Sequence, residues 1–458
     1  MKIKRLTIIG LFLLGLSCNA ITKGFGLFPL PFAQTIAQTG TPFPAPAYIP
    51  SICKNSAIAT VPAATTIVEP ALRYATNPPL TKDQQLKVFD ELVSTINGVY
   101  LYPDFNGVDW NGIVATYRTK VEGGLETESF YNEMSNLISE LGDNHSQFES
   151  PSALVAAEIE LAGQNNFVGI GVFAQPLIDK GHLSVLAVFP NSSAEHVGIK
   201  SHDDLLAVDG IPLVENGKPY FQRVRGPECS TLRLTIQSPG GKPRDVILMR
   251  YYIAAPEPID ARLVPTTDGS HIGYIFIPSF DDETIPGQIM NALKILGPLD
   301  GLILDNRMNI GGSSDVVNPV LSYFTSGTVG QFISRTEKRP FLVNANPIGN
   351  SQTVPLVVLV GQDTVSFGEI FSGILQDEGR AKIVGQTTLG HVEILSGYNF
   401  SYGSHAWIAH ERFDPAHSHA NWEKDGIVPD VQAFADWDTF TFENDPSVKA
   451  ALELLRHK

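Results

Sequence analysis

The apolar run Pro355 to Val360 is followed at once by Gly361-Gln362-Asp363 and then by Thr364-Val365-Ser366-Phe367-Gly368-Glu369-Ile370. The run reads as a buried strand, the Gly/Asp segment as a turn, and Phe371 to Leu375 as the start of a helix. A serine at such a junction has its hydroxyl held outward, with the next amide near a helix N-terminus. That is the geometry a serine nucleophile and its oxyanion hole need. The same position also suits a serine that merely caps the following helix. Taken alone, the segment leaves both open.

Its surroundings extend the pattern. From Ile272 onward, apolar stretches alternate with helical ones: Tyr274 to Ile277, a helix over about 285–296, Gly301 to Asp305, Val316 to Phe324, then the run before Ser366. Such alternation predicts an α/β layered unit over 254–440, closed by a helix near Pro446 to Arg456 within 441–458. Toward the N-terminus, Thr81-Lys82-Asp83-Gln84 has the pattern of a capping box, followed by apolar Leu86, Phe89, Val93 and Ile96. Further helices are expected from Trp110 to about Val121 and from Ser129 to Leu141, making 81–150 a small helical domain.

Between these regions, 166–253 is rich in short β-prone runs: Val168 to Phe173, Leu183 to Val188, Leu205 to Val208, Leu232 to Ile236 and Asp245 to Met249. Phe167-Val168-Gly169-Ile170-Gly171-Val172, with Pro190-Asn191-Ser192-Ser193-Ala194-Glu195-His196-Val197-Gly198-Ile199 and Asp203 to Gly210, resembles a PDZ domain. The resemblance implies that Val168, Gly169, Ile170 and Gly171 form a loop receiving a peptide C-terminus, with an adjoining strand edge pairing with the peptide.

The first 33 residues read as an export signal. Lys2, Lys4 and Arg5 precede the apolar stretch Leu6 to Leu16, which is too short to span a bilayer. Leu14-Gly15-Leu16-Ser17-Cys18 resembles a lipoprotein cleavage box with Cys18 lipidated; ordinary cleavage after Ala20 or Ala33 is the competing reading. A Pro/Ala/Thr-rich linker is expected over 34–80. Export to a periplasmic, envelope or extracellular compartment would permit a Cys53–Cys229 disulfide. The formal net charge of -16 argues against a nucleic-acid partner, since there is no cationic excess to displace phosphate counterions.

A nucleophilic serine needs a base, usually a histidine oriented by a third group. Of the chain's 11 histidines, His145 lies in Leu141-Gly142-Asp143-Asn144-His145-Ser146, at the end of the helical region. That segment, the PDZ-like region, Asp305-Asn306-Arg307-Met308-Asn309-Ile310-Gly311-Gly312 and the Ser366 motif follow in one order. In that order they resemble the tail-specific (C-terminal processing) serine proteases of peptidase family S41, over about 82–433. The resemblance implies a ClpP/crotonase-like α/β core, with the whole chain an α+β and α/β multidomain protein. It further implies an acyl-enzyme on Ser366, polypeptide substrates and no cofactor.

In the better-known branch of that family a lysine is the base. Here the matching segment Gly385-Gln386-Thr387-Thr388-Leu389-Gly390-His391 ends in histidine. The tricorn-like branch uses instead a histidine, a serine and a late glutamate, and implies His145, Ser366 and Glu423 as catalytic residues. Asn144 stands where that branch has a serine. Gly311 or Gly312, with the Phe367 amide, would receive the oxyanion. His391 remains an alternative base. His405, His410, His417 and His419 read as a solvated loop rather than a metal site. The same core fold also resembles retinoid-binding modules, so a non-proteolytic binding protein is the alternative function.

Overall fold

The computed structural model describes residues 46–54, 77–143, 145–155 and 166–456. The leader, Cys18, much of the linker and Asn144 therefore lie outside the described residues. Among the described residues no helix is long and apolar enough to cross a membrane.

Thr81 caps the helix Lys82–Val99 in a reciprocal box, its hydroxyl accepting from the Gln84 amide while the Gln84 side chain accepts from Thr81 N. Helices Trp110–Glu122 and Thr127–Ser139 follow. The last begins ahead of the expected Ser129 because the Glu126 carboxylate accepts from the Glu128 and Ser129 amides, capping it earlier. The three helices bury Val88, Phe89, Leu92, Phe130 and Met134 completely, each contributing about 1.5–3 kcal/mol. They do not close a core alone. Phe400, Ala406, Ile408 and Ala409 belong to the same cluster, and the strand Gln147–Glu149 pairs antiparallel with His405–Pro415.

The middle region forms a sheet in the order Arg244–Met249, Thr231–Gln237, Asp204–Val208, His182–Val188, Val172–Leu177. The expected run Val168 to Phe173 is two strands. Asn166–Gly169 pairs in a separate ribbon with Tyr251–Ala254, and Val172–Leu177 begins the larger sheet after a break at Gly171, which has φ 84°. A Cβ at Gly171 would lie 2.2 Å from Ser192 Cβ, so only glycine permits this close crossing. A disulfide joins Cys53 to Cys229, fastening the segment 46–54 to this region.

The C-terminal half holds a second six-stranded sheet: Asp260–Val264, Ile272–Phe276, Gly301–Asp305, Leu356–Val360, Lys382–Gly385, Val431–Gln432. Its first pair is antiparallel and the rest are parallel. Alternate strand residues face opposite ways. Leu302, Leu304, Leu356, Val358 and Val360 pack with the helices Ile285–Leu296, Ser314–Ser322 and Phe367–Asp377. Ile303, Val357 and Leu359 pack with Trp437, Phe440 and the helix Pro446–Arg456. The stretch Val316 to Phe324 is thus mostly helical.

A third sheet, not anticipated, joins Gly327–Ile333, Lys338–Val343 and Ile394–Asn399 to His405–Pro415. The expected solvated histidine loop is in part this 11-residue strand. Its histidines diverge: His405 bonds Asn399, His410 meets the Val99 carbonyl, His417 reaches Glu378 and His419 reaches Asp414.

Candidate active site

Ser366 follows the strand Leu356–Val360 through a turn and is the N-cap of Phe367–Asp377, with φ 55° and ψ −123°. This is a sparsely populated conformation for a residue with a Cβ, costing about 1–3 kcal/mol, and it needs external support. That support is local. The Ser366 amide donates to the His391 carbonyl at 2.8 Å and to Glu369 Oε2 at 3.3 Å. The Val365 amide donates to the Asn309 carbonyl at 2.9 Å.

The Gly311-Gly312 turn lies against the same junction. A Cβ on Gly311 would fall 2.7 Å from Ser366 Cβ and 3.1 Å from Phe367 N, so only a glycine lets these backbones approach. The Phe367 amide opens the helix and has no intrahelical acceptor. The Gly311 amide is already donated to Asn309 Oδ1 at 2.9 Å.

The turn is anchored from below by a buried ion triad. Arg307 bonds both Asp305, completely buried, and Asp445, 1% exposed, and its guanidinium faces Trp437 and Phe440. Burial alone would push the Asp305 carboxyl up, but Arg307 outweighs it and holds the pKa below the ordinary value. Asp305 and Arg307 thus brace the turn that carries the two glycines.

His145 and Glu423, 278 residues apart in sequence, meet. His145 Nε2 lies 2.9 Å from Glu423 Oε1, with the imidazole side chain fully buried. The His145 amide is tied to Asp143 Oδ1 at 3.0 Å. Glu423 is on the short helix Trp422–Asp425, and its Oε2 accepts from the Val392 and Glu393 amides at 2.9 and 3.2 Å. Burial works against the imidazolium, but the Glu423 hydrogen bond and charge outweigh it, so the His145 pKa lies above its ordinary value.

His391 stands between the two halves. Its carbonyl holds the Ser366 amide, and its ring packs edge-on against His145 with centroids 4.9 Å apart. Burial and the neighbouring His145 charge push its pKa down. Both candidate bases are thus within one cluster, with their pKa values pushed in opposite directions.

Two carboxyls carry roles that the sequence motifs do not assign. Glu369 is fully buried and binds the Gly390 and His391 amides at 2.8 and 2.7 Å, clamping the His391 loop to the Ser366 turn. Burial raises its pKa to about 7. The motif spacing Ser366-x-x-Glu369 was the available signal. Glu393 is 2% exposed, and its Oε2 has no hydrogen-bond partner among the described residues. Burial, then the Glu423 charge, pushes its pKa up to about 8. His145, Glu393 and Glu423 bring potential ligand atoms within 4.8 Å of one another, as do Asp377, Glu378 and His417.

The proposed peptide loop is only partly open. Gly169 and Val168 pair with Tyr251 and Tyr252, while the Ile170 and Gly171 carbonyls accept from Ala194 and Phe189. Strand Val172–Leu177 pairs on one side with His182–Val188, and Gln175 donates to Asp363 Oδ1 at 3.3 Å, in the turn that precedes Ser366.

Residues 271–433 match the model of peptidase family S41, and residues 82–140 match that of the tricorn protease C1 domain. The carboxyl-terminal-processing protease of Synechocystis sp. is 28% identical over 397 residues, spanning 84% of this chain and 90% of that protein. The chloroplastic carboxyl-terminal-processing peptidase 3 of Arabidopsis thaliana is 27% identical over 376 residues, 79% of this chain and 71% of its own length. The solved photosystem II D1 C-terminal processing protease has a similar fold, with TM-score 0.53 and 24% identity over 80% of this chain and 96% of that one. These matches define a serine-type peptidase. Over residues 271–433 the chain is similar to peptidase family S41, and along most of its length to carboxyl-terminal-processing proteases.

Proposed function

We propose that the chain is an exported serine endopeptidase that forms an acyl-enzyme on Ser366, with His145 as general base and Glu423 as the group that orients it. The observation carrying this reading is the His145–Glu423 hydrogen bond, linked through His391 to a serine in a strained strand-to-helix turn. With Nε2 held by Glu423, Nδ1 receives the Ser366 Oγ proton as Oγ bonds to the scissile carbonyl carbon. The imidazolium then gives that proton to the leaving amine, and water repeats the cycle to release the acyl group. Glu423 stabilises the imidazolium formed on the way.

The oxyanion would be received by the Phe367 amide and, because the Gly311 amide is committed to Asn309, by that of Gly312. Removing one such donor costs about 3 kcal/mol of transition-state stabilisation. The 166–253 region would act as a PDZ-like module and 254–440 as a ClpP/crotonase-like core, with 81–150 helical. A polypeptide C-terminus would add to the free side of Val172–Leu177, and Gln175–Asp363 links that strand to the catalytic turn. Asn144 would contribute a polar contact at the position after Asp143. The leader supports export, with Cys18 the residue that would carry a lipid.

A fluorophosphonate probe should label the wild-type chain on Ser366, as located by peptide mass, and fail on Ser366→Ala. Equal labelling of that variant would remove the nucleophile assignment.

A further inference from the structure

A third cluster, at the junction of the middle sheet and the C-terminal segment, has no part in the chemistry above. His182 and Asp204 begin neighbouring strands of the middle sheet, where Leu183 pairs with Leu205 and Ser184 with Asp204. Asp438 reaches them from the turn Trp437–Thr439, beyond the last strand of the C-terminal sheet. His182 Nε2 is 3.2 Å from Asp204 Oδ1 and 3.3 Å from Asp438 Oδ2.

Among the described residues neither His182 Nε2 nor Asp204 Oδ1 has a well-aligned hydrogen bond, although both atoms are buried, Asp204 is only 6% exposed, and the two carboxylates lie close enough to raise the His182 pKa. The two carboxylate oxygens therefore flank the ring nitrogen without lying on its N–H axis. In a tetrahedral zinc site, bonds of about 2.0–2.2 Å put ligand atoms about 3.4 Å apart. Both distances are close to that edge length.

The surroundings suit a divalent cation. Two carboxylates supply the charge that a dication neutralises, and an imidazole with two oxygens is a borderline donor set. Lys180 Nζ contacts Asp436 Oδ2 at 2.9 Å and the other Asp438 oxygen, Oδ1, which orients that carboxylate and leaves Oδ2 turned to His182. The turn is already fixed in place: Trp437 Nε1 donates to the Val185 carbonyl at 3.1 Å, and His202 Nδ1 meets the Trp437 carbonyl at 2.8 Å. The three ligands are thus preorganised across the junction of two parts of the fold.

We infer that His182, Asp204 and Asp438 form a zinc-class divalent metal site that clamps the middle sheet to the C-terminal segment. The inference is independent of the catalytic reading.

The test uses the full chain carrying Ser366→Ala, stripped with chelator and dialysed against buffered micromolar Zn²⁺. Bound zinc is measured by elemental analysis and stability by thermal unfolding. The parent should retain one more equivalent of zinc than either Asp204→Asn or His182→Ala, and zinc should raise its midpoint but not theirs. Asp204→Asn keeps the side-chain shape, and its far-ultraviolet spectrum checks the fold. His417→Asn should bind as the parent does, separating this cluster from that of Asp377 and Glu378. Equal zinc in parent and both variants would overturn the site. So would a chain that binds no zinc and merely loses stability as pH rises, the mark of a protonated His182 bridging the two carboxylates.

Discussion

Replacing Gly311 by alanine should disable the site and also destabilise the fold around it. The new methyl would lie 2.7 Å from Ser366 Cβ, 3.0 Å from the Val365 carbonyl and 3.1 Å from Phe367 N. None of these atoms can swing away as a side-chain tip could. Gly311 also has φ 98°, where a Cβ costs about 1–2 kcal/mol. Overpacking adds about 1–3 kcal/mol. The least costly relief is to move the Ser366 turn outward, and a shift of about 1 Å in a reacting group lowers rates about 100-fold. Hydrolysis of an unfolded protein substrate and the rate of fluorophosphonate labelling should both fall by about that factor. The thermal midpoint should drop by an amount corresponding to about 2–5 kcal/mol. A variant that labels at the wild-type rate with an unchanged midpoint would refute the close approach of Gly311 to Ser366.

Other consequences follow from the same contacts. The base must be neutral to accept a proton, so with His145 as base kcat/KM should rise through a pKa above 6.5, and Glu423→Gln should move that rise to lower pH. A rise below 6.5 in the wild type would point to His391, whose pKa is pushed down. Glu369 has its pKa raised from 4.5 to about 7, so its stabilising contribution is full below 4.5 and lost as pH rises through 7. Unfolding free energy measured against pH should show about 3 kcal/mol less of this decline in Glu369→Gln, and an identical profile would remove the assignment. Reducing Cys53–Cys229, or replacing both by serine, should cost about 2–5 kcal/mol by denaturant titration; equal midpoints with and without reductant would contradict it.

Much of this architecture could be read locally. The helix Ile285–Leu296 and the strands Gly301–Asp305 and Leu356–Val360 carry their own signals, because helical apolar spacing with Pro in the first turn and uninterrupted apolar runs need no distant partner. The sheet containing His405–Pro415 could not be read that way. Its residues alternate irregularly between buried and half-exposed, and its inward face is covered by helices more than 250 residues earlier, so no period-2 pattern marks it as a strand. The loop glycines near Val168 misled for a related reason: the break at Gly171 is set by contact with Ser192, which no local pattern reveals.

Within the candidate site, His145, Ser366 and Glu423 stood in recognisable segments. Their partners did not. Glu393 has no spacing relation to His145, and its burial beside Glu423 depends on how two distant loops meet. The Gly311 amide was equally opaque, since its use depends on where the Asn309 side chain turns.

The central claim is that His145, held by Glu423, activates Ser366. Its most direct test is the fluorophosphonate labelling rate of His145→Ala and His391→Ala, each checked for an intact fold by thermal unfolding. The account predicts that labelling collapses in His145→Ala by about 10³-fold or more, as loss of a general base requires, and survives within about 10-fold in His391→Ala. Labelling that persists in His145→Ala but vanishes in His391→Ala would contradict it and transfer the base to His391.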